Sequence, residues 1–294
     1  MRRFDMFVPE NMADLLGYLD KNQSGVQMIA NGTDLINRIQ RRQVTARVLA
    51  DLSGLRELKY VKQHQGTVRI GALTTISELI ASPIVTDRYN AFREVAKKFG
   101  GPSIVNMATV GGNICSASSS EDLLPVLLVL EAQVLVRSIK GERIIPLADF
   151  VKGKRTTAAR PNEVLVETRF PELDSSSTCS FEKVGMRNSL IIAFVNCAVY
   201  LKLNVDKRID EIRIAFNRVA GKIPERAKTT ENALRGQKLN EPLLTEVCAT
   251  LSRELKLTSD YRASQEYRVE VACNLFKRTV NNCVRKLSGE TMIV

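Results

Sequence analysis

The sequence predicts an α+β protein of two units, and three observations carry that reading. Residues 1–170 alternate short strands with short amphipathic helices. Two glycine turns, Asn31-Gly32-Thr33 and Thr109-Val110-Gly111-Gly112-Asn113, each follow an apolar segment. Beyond a serine-rich stretch at 174–178 the order changes to long alternating strands and then helices. The boundary falls near residue 175, giving units 1–175 and 176–294, and the first divides again into about 1–55 and 56–175. At 294 residues, 44% hydrophobic and 26% charged, the chain has enough apolar material for such cores.

Taken in order, residues 4–8 read as a strand stopped by Pro9. Residues 11–21 form a helix with Met12, Leu15, Leu16 and Leu19 on one face. A strand at 26–30 delivers the chain into Asn31-Gly32-Thr33. Asn tolerates the left-handed conformation, so this pair turns sharply and aligns successive N–H groups, a candidate anion nest. The basic run Arg38, Arg41, Arg42 and Arg47 reads as a solvated face. Strands follow at 47–52, 59–63 and 67–73, with the only histidine, His64, in a polar segment and without a role. Thr75-Ile76-Ser77-Glu78 has capping-box spacing and opens a helix that ends before Pro83.

A helix at 90–99 closes at Gly100-Gly101-Pro102 and leads into the second glycine turn. Four serines, Glu121 and Asp122 come next, a lining that suits a phosphate and a sugar. The plain alternative is a glycine-rich loop between a strand and a helix. An apolar helix covers 123–130, a hairpin turns at Lys140-Gly141, residues 153–161 form a basic polar loop, and 163–170 return as a strand. In the second unit, strands at 190–205 and 209–219 turn at Asp206-Lys207. Helices at 224–234, 241–255 and 261–287 then cover one face of the antiparallel sheet.

Six cysteines lie scattered without a C-x-x-C pair and read as free thiols, which excludes a zinc ribbon or an iron–sulfur cluster held by this chain. No apolar run of membrane length and no apolar core behind Arg2-Arg3 is present, so the expectation is a cytoplasmic protein with neither signal peptide nor membrane span. The net charge of +11 sits mostly in residues 151–294. No Trp, 5% aromatic residues and no helix-turn-helix, RNP or zinc-finger pattern argue against nucleic acid. An acidic partner subunit or anionic substrates remain. Rossmann, P-loop, H-E-x-x-H and G-x-S-x-G patterns are absent, and one histidine does not supply a serine or cysteine triad. Chemistry here would come from a bound cofactor.

The segments MIANGTDL, FGGPSIVNMATVGGNICSASSSEDLLP, NEVLVETRFP and FEKVGMRNSLIIAFVNCAVYL, with Tyr261-Arg262-Ala263-Ser264 before the last helix, resemble the FAD-binding subunits of the molybdenum hydroxylases. These are the medium chains of xanthine, nicotinate and carbon monoxide dehydrogenases. The resemblance spans essentially the whole chain and implies an FAD domain of the vanillyl-alcohol-oxidase type, then a C-terminal domain like that of the carbon monoxide dehydrogenase flavoprotein. It implies that Met28, Ile29, Ala30, Asn31, Gly32, Thr33, Asp34 and Leu35 wrap the FAD pyrophosphate, with Asn31 standing where many relatives have glycine. It places Phe99 and Gly100 beside the cofactor, the ring able to stack on adenine. Thr109, Val110, Gly111, Gly112 and Asn113 become a second phosphate loop.

By the same resemblance, Asp122 bonds flavin-side hydroxyls, with capping of the next helix as its plain alternative. Leu165, through its backbone, and Lys183 lie near the isoalloxazine, where a cation stabilises the anionic reduced flavin. Arg187 and Asn188 fall on the nicotinamide side. The implied partners are a molybdopterin-binding large subunit and a 2Fe-2S small subunit, with NAD as acceptor. The rival reading is a scaffold protein that kept the fold and lost flavin. The decisive expectation is that main-chain amides near Gly32 and Gly111 converge on one diphosphate.

Overall fold

A computed structural model describes residues 3–118, 121–185, 193–217, 224–259 and 263–289. Strands β1 (Asp5–Phe7), β2 (Val26–Ile29) and β3 (Val48–Asp51) form a parallel sheet in the order β1-β3-β2. Parallel neighbours need crossovers, supplied by α1 (Met12–Lys21) and the six-residue α2 (Leu35–Gln40). The Asn11 side chain accepts the Asp14 N–H and caps α1, and the expected Met12, Leu15, Leu16 and Leu19 are its buried face. Nothing in the sequence reading anticipates α2, which carries Arg38 of the basic run.

The next region is built on an antiparallel sheet, ordered β4-β5-β10-β6-β7: β4 (Val61–His64), β5 (Thr67–Gly71), β6 (Gln133–Ser138), β7 (Gly141–Pro146) and β10 (Val164–Pro171). Between β7 and β10, the segment read as a loop contains a small ribbon of β8 (Val151–Gly153) and β9 (Thr156–Thr157). Helices α3 (Ile76–Ala81), α4 (Asn90–Phe99), α5 (Pro102–Met107), α6 (Val110–Ser116), α7 (Leu123–Val129) and α8 (Leu147–Phe150) complete it. The Thr75/Glu78 capping box of α3 forms as expected. Side chains alternate across β6: Val134 and Val136 join the core built on α3, α4 and α7, while Leu135 joins Leu15 and Leu19 of α1. One strand thereby serves two cores, and the first sheet is fastened to the second.

The C-terminal antiparallel sheet runs β11 (Ser177–Gly185), β12 (Ala193–Leu203), β13 (Ile209–Asn217) and β14 (Glu225–Arg226), followed by α9 (Lys228–Leu234), α10 (Glu241–Glu254) and α11 (Gln265–Ser288). The nine residues of β11 were not read as a strand. The helix expected from 224 starts at Lys228, because Glu225 and Arg226 pair with Phe216 and Ala215 of β13. The helices of this unit cover one face of its sheet as expected, and helices from the preceding region close the other. Val195, Cys197, Val199 and Leu201 face α10 and α11, but Ala198 and Tyr200 join the core built on α4 and α7. A sheet clad on both faces reads as an almost unbroken apolar run, which is why β12 was legible as a strand while its second contact was not.

Phe170 is fully buried, with the rings of Tyr89 and Phe92 each 5.9 Å away between centroids. Phe170→Ala is expected to cost about 3–5 kcal/mol, read as a lower denaturation midpoint at unchanged slope.

Candidate functional site

A cavity of about 570 Å³ lies between the first sheet and the helices of the second region. The β2–α2 connection forms one wall. Phe99, Gly100, Met107, Thr109, Gly112, Asn113, Ser116, Glu121 and Asp122 contribute to the other. Of the residues singled out in the sequence, Met28 to Leu35, Phe99, Gly100, Thr109, Gly112, Asn113 and Asp122 therefore line one space. Val110, Gly111, Leu165 and Lys183 do not line it. Leu165 is buried in the core beneath β10. Arg187 and Asn188 fall outside the described residues.

Gly32 takes φ +74°, and a Cβ there would sit 2.8 Å from Cγ1 of Ile36, so the turn demands glycine on both conformational and steric grounds. Asn31 is not left-handed; its Nδ2 instead donates to the Met107 carbonyl at 2.8 Å and ties the turn to α5. The backbone amides of Gly32, Thr33 and Asp34 have no hydrogen-bond partner within the described residues. Three such amides beside a cavity favour an anion.

The second turn differs from expectation. Thr109 is the N-cap of α6, its hydroxyl accepting the Gly112 N–H at 3.0 Å, and the glycines are helical. Val110 N–H donates to the Thr74 carbonyl at 2.9 Å and Gly111 N–H to the Ala72 carbonyl at 2.8 Å. A Cβ on Gly111 would meet Cβ and O of Ala72, both at 2.7 Å. The amide of Gly111 therefore faces the sheet and not the cavity. Its missing side chain lets α6 seat against the end of β5.

Three carboxyl groups line the cavity, and each is neutralised differently. Asp34 receives a bidentate pair from Arg155, at 2.6 and 2.9 Å, and the same guanidinium reaches the Ser116 carbonyl at 3.1 Å. Asp122 makes no capping bond to α7. Its Oδ2 meets Lys183 Nζ at 2.5 Å, its Oδ1 accepts from Asn196 Nδ2 at 2.9 Å, and Lys183 also donates to the Lys98 carbonyl. Lys183 is thus a buried counter-ion for Asp122, with side chains 1% and 4% exposed. Among the described residues Glu121 has no cation within salt-bridge range, and it accepts from Asn113 Nδ2 and Ser116 Oγ. Burial, reinforced by Asp122 and Asp34 and opposed by Ser116 and Arg155, pushes its carboxyl up to about 8. Asn113 Oδ1 is buried with no partner among the described residues.

Arg155, Asn196 and the role of Glu121 escaped the sequence reading. Asp34 and Arg155 are 121 residues apart, and no local pattern announces their pairing.

The profile described as "FAD binding domain in molybdopterin dehydrogenase" matches residues 2–173, and that of the "CO dehydrogenase flavoprotein C-terminal domain" matches 181–283. The chain is an FAD-binding subunit of the molybdenum hydroxylase family. This FAD subunit is 28% identical over 281 residues to the xanthine dehydrogenase FAD-binding subunit of Escherichia coli O157:H7, covering 95% of each chain. It is 31% identical over 262 residues to the glyceraldehyde dehydrogenase medium chain of Sulfolobus acidocaldarius, covering 89% and 92%. It also matches 22% of the length of the xanthine dehydrogenase/oxidase of Gallus gallus, using 96% of its own residues at 25% identity. Its fold superposes on carbon monoxide dehydrogenase from Hydrogenophaga pseudoflava with a TM-score of 0.91 at 27% identity, covering 97% and 98%.

The cavity suits FAD on its own terms. Its volume lies within the usual range for small-molecule sites, its free amides suit phosphate oxygens, and the orphaned Asn113 Oδ1 is ready to accept from a hydroxyl. Gly111→Ala is expected to lower the stability of the FAD subunit by about 1–3 kcal/mol, because the Ala72 backbone does not yield. Gly112→Ala, whose new Cβ meets only the movable Thr109 hydroxyl group, is expected to cost less; thermal melts of the two variants separate packing from ligand contact.

Proposed function

We propose that FAD lies in this cavity with its diphosphate on the amides of Gly32, Thr33 and Asp34, and that the subunit carries electrons from iron–sulfur clusters to NAD. The supporting observation is the Gly32 turn: three unpartnered amides at a left-handed glycine, with the neighbouring acid Asp34 held by Arg155. Bound FAD supplies the conversion of single electrons into hydride. The protein's own part is binding, orientation and charge control.

On this reading Phe99 packs along the cofactor's adenine end. Asn113 and Asp122 address its hydroxyl groups, and Lys183 acts through Asp122 without touching the ring. A molybdopterin-binding large subunit and a 2Fe-2S small subunit are the partners on this reading, since relatives are named as medium chains of dehydrogenases. A xanthine dehydrogenase-like complex is the specific reading, with purine hydroxylation in the partner's active site. Isolation of the complex from its native cells, with identification of the co-purifying chains, tests the partners. Anaerobic NADH that leaves the flavin absorbance unbleached removes NAD as acceptor.

Glu121 gives the site a pH dependence. A diphosphate in the same cavity favours the neutral acid, so FAD binds the protonated form better. Below about pH 8 Glu121 is already protonated and affinity is flat; above it, binding must take up a proton and affinity falls, by at most about tenfold per pH unit. Flavin fluorescence released between pH 6.5 and 9.5 is the readout. Glu121→Gln is expected to remove the alkaline loss while leaving retention at neutral pH intact.

A further inference from the structure

A second reactive feature lies away from the FAD cavity, between α10 and α11. Thr245, Cys248 and Ser252 are spaced three and four residues apart on α10, and Cys273 and Lys277 are spaced four apart on α11, so each set forms a row on one helix face. The rows meet in antiparallel register. Lys277 Nζ donates to Thr245 Oγ1 at 2.8 Å, and Cys273 Sγ lies 3.7 Å from the Cys248 carbonyl oxygen and 3.5 Å from Ser252 Oγ. Cys273 Sγ donates to the Cys248 carbonyl oxygen, which sets the two cysteines side by side across the helix pair, and both are half-buried.

The charge balance at the pair is asymmetric. The neighbouring Cys248, the Ser252 hydroxyl and the Lys277 ammonium lower the Cys273 thiol against the cost of burial. A partly accessible thiolate beside a second thiol is the arrangement that reacts with peroxides. The other thiols contrast with it. Cys179, Cys197 and Cys283 are fully buried and their thiols are raised by burial, and Cys115 lines the FAD cavity.

We propose that Cys248 and Cys273 are a modification site, a dithiol that hydrogen peroxide oxidises reversibly to a disulfide joining α10 to α11. The Cys273 thiolate attacks peroxide, the O–O bond breaks, and a sulfenic acid and hydroxide form. Cys248 then attacks the sulfenic sulfur, the S–O bond breaks, and the departing hydroxide takes the Cys248 proton as water. Two thiols lose two electrons, and one peroxide becomes two waters.

The test uses the full chain with FAD bound. After peroxide treatment, remaining thiols are alkylated and the digest is analysed by mass spectrometry. The expected product is one cross-linked peptide pair containing Cys248 and Cys273, lighter by two hydrogens and restored by dithiothreitol. Cys248→Ser should leave a sulfenic acid on Cys273 that dimedone traps. Cys273→Ser should slow thiol loss at position 248 by about tenfold or more. If the wild-type protein forms no such pair, or Cys115 oxidises first while Cys248 and Cys273 stay fully alkylatable, the proposal fails. Neither result bears on whether FAD occupies the cavity.

Discussion

The Lys183–Asp122 pair is the interaction on which the arrangement of the cavity depends. Two charges removed from water are costly unless they meet closely and their remaining bonding capacity is filled. Both conditions hold, through the 2.5 Å contact, Asn196 and the Lys98 carbonyl. The pair joins β11 of the C-terminal sheet to the start of α7, and Asn217 of β13 adds a bond to the Glu121 carbonyl oxygen. The cavity floor is therefore shared between two parts of the chain, and the position of Glu121 follows from this junction.

From that geometry comes a graded treatment of negative charge. Asp34 sits partly exposed and uses a guanidinium that also bridges to α6. Asp122, almost fully buried, uses an ammonium that is itself buried. Glu121 uses a proton. On the proposed placement of a phosphate-bearing cofactor, the cavity thus keeps its acids as hydrogen-bonding groups while limiting repulsion.

Local signals carried most of the fold. The apolar spacing of α1, the Thr75/Glu78 box, the Lys140-Gly141 hairpin and the two long strands β12 and β13 all follow from interactions within a few residues, and they were legible. The first glycine turn was legible too, since Gly32 takes the left-handed conformation that glycine adopts without steric cost. The second misled because paired glycines suggest ligand approach, whereas Gly111 answers to Ala72, 39 residues earlier and visible only once β5 and α6 are packed. Lys183 was noticed but its counter-ion was not. The difference between a cation for flavin and a cation for Asp122 lies in tertiary geometry alone.

The two-sided cladding of the C-terminal sheet bears on where the chain can be divided. Ala198, Tyr200 and Ala215 are sealed by helices encoded far upstream, so a gene severed near codon 175 would yield one product with a bare sheet and another with bare helices, both prone to aggregate. The residues on either side of that point therefore depend on each other for a covered core.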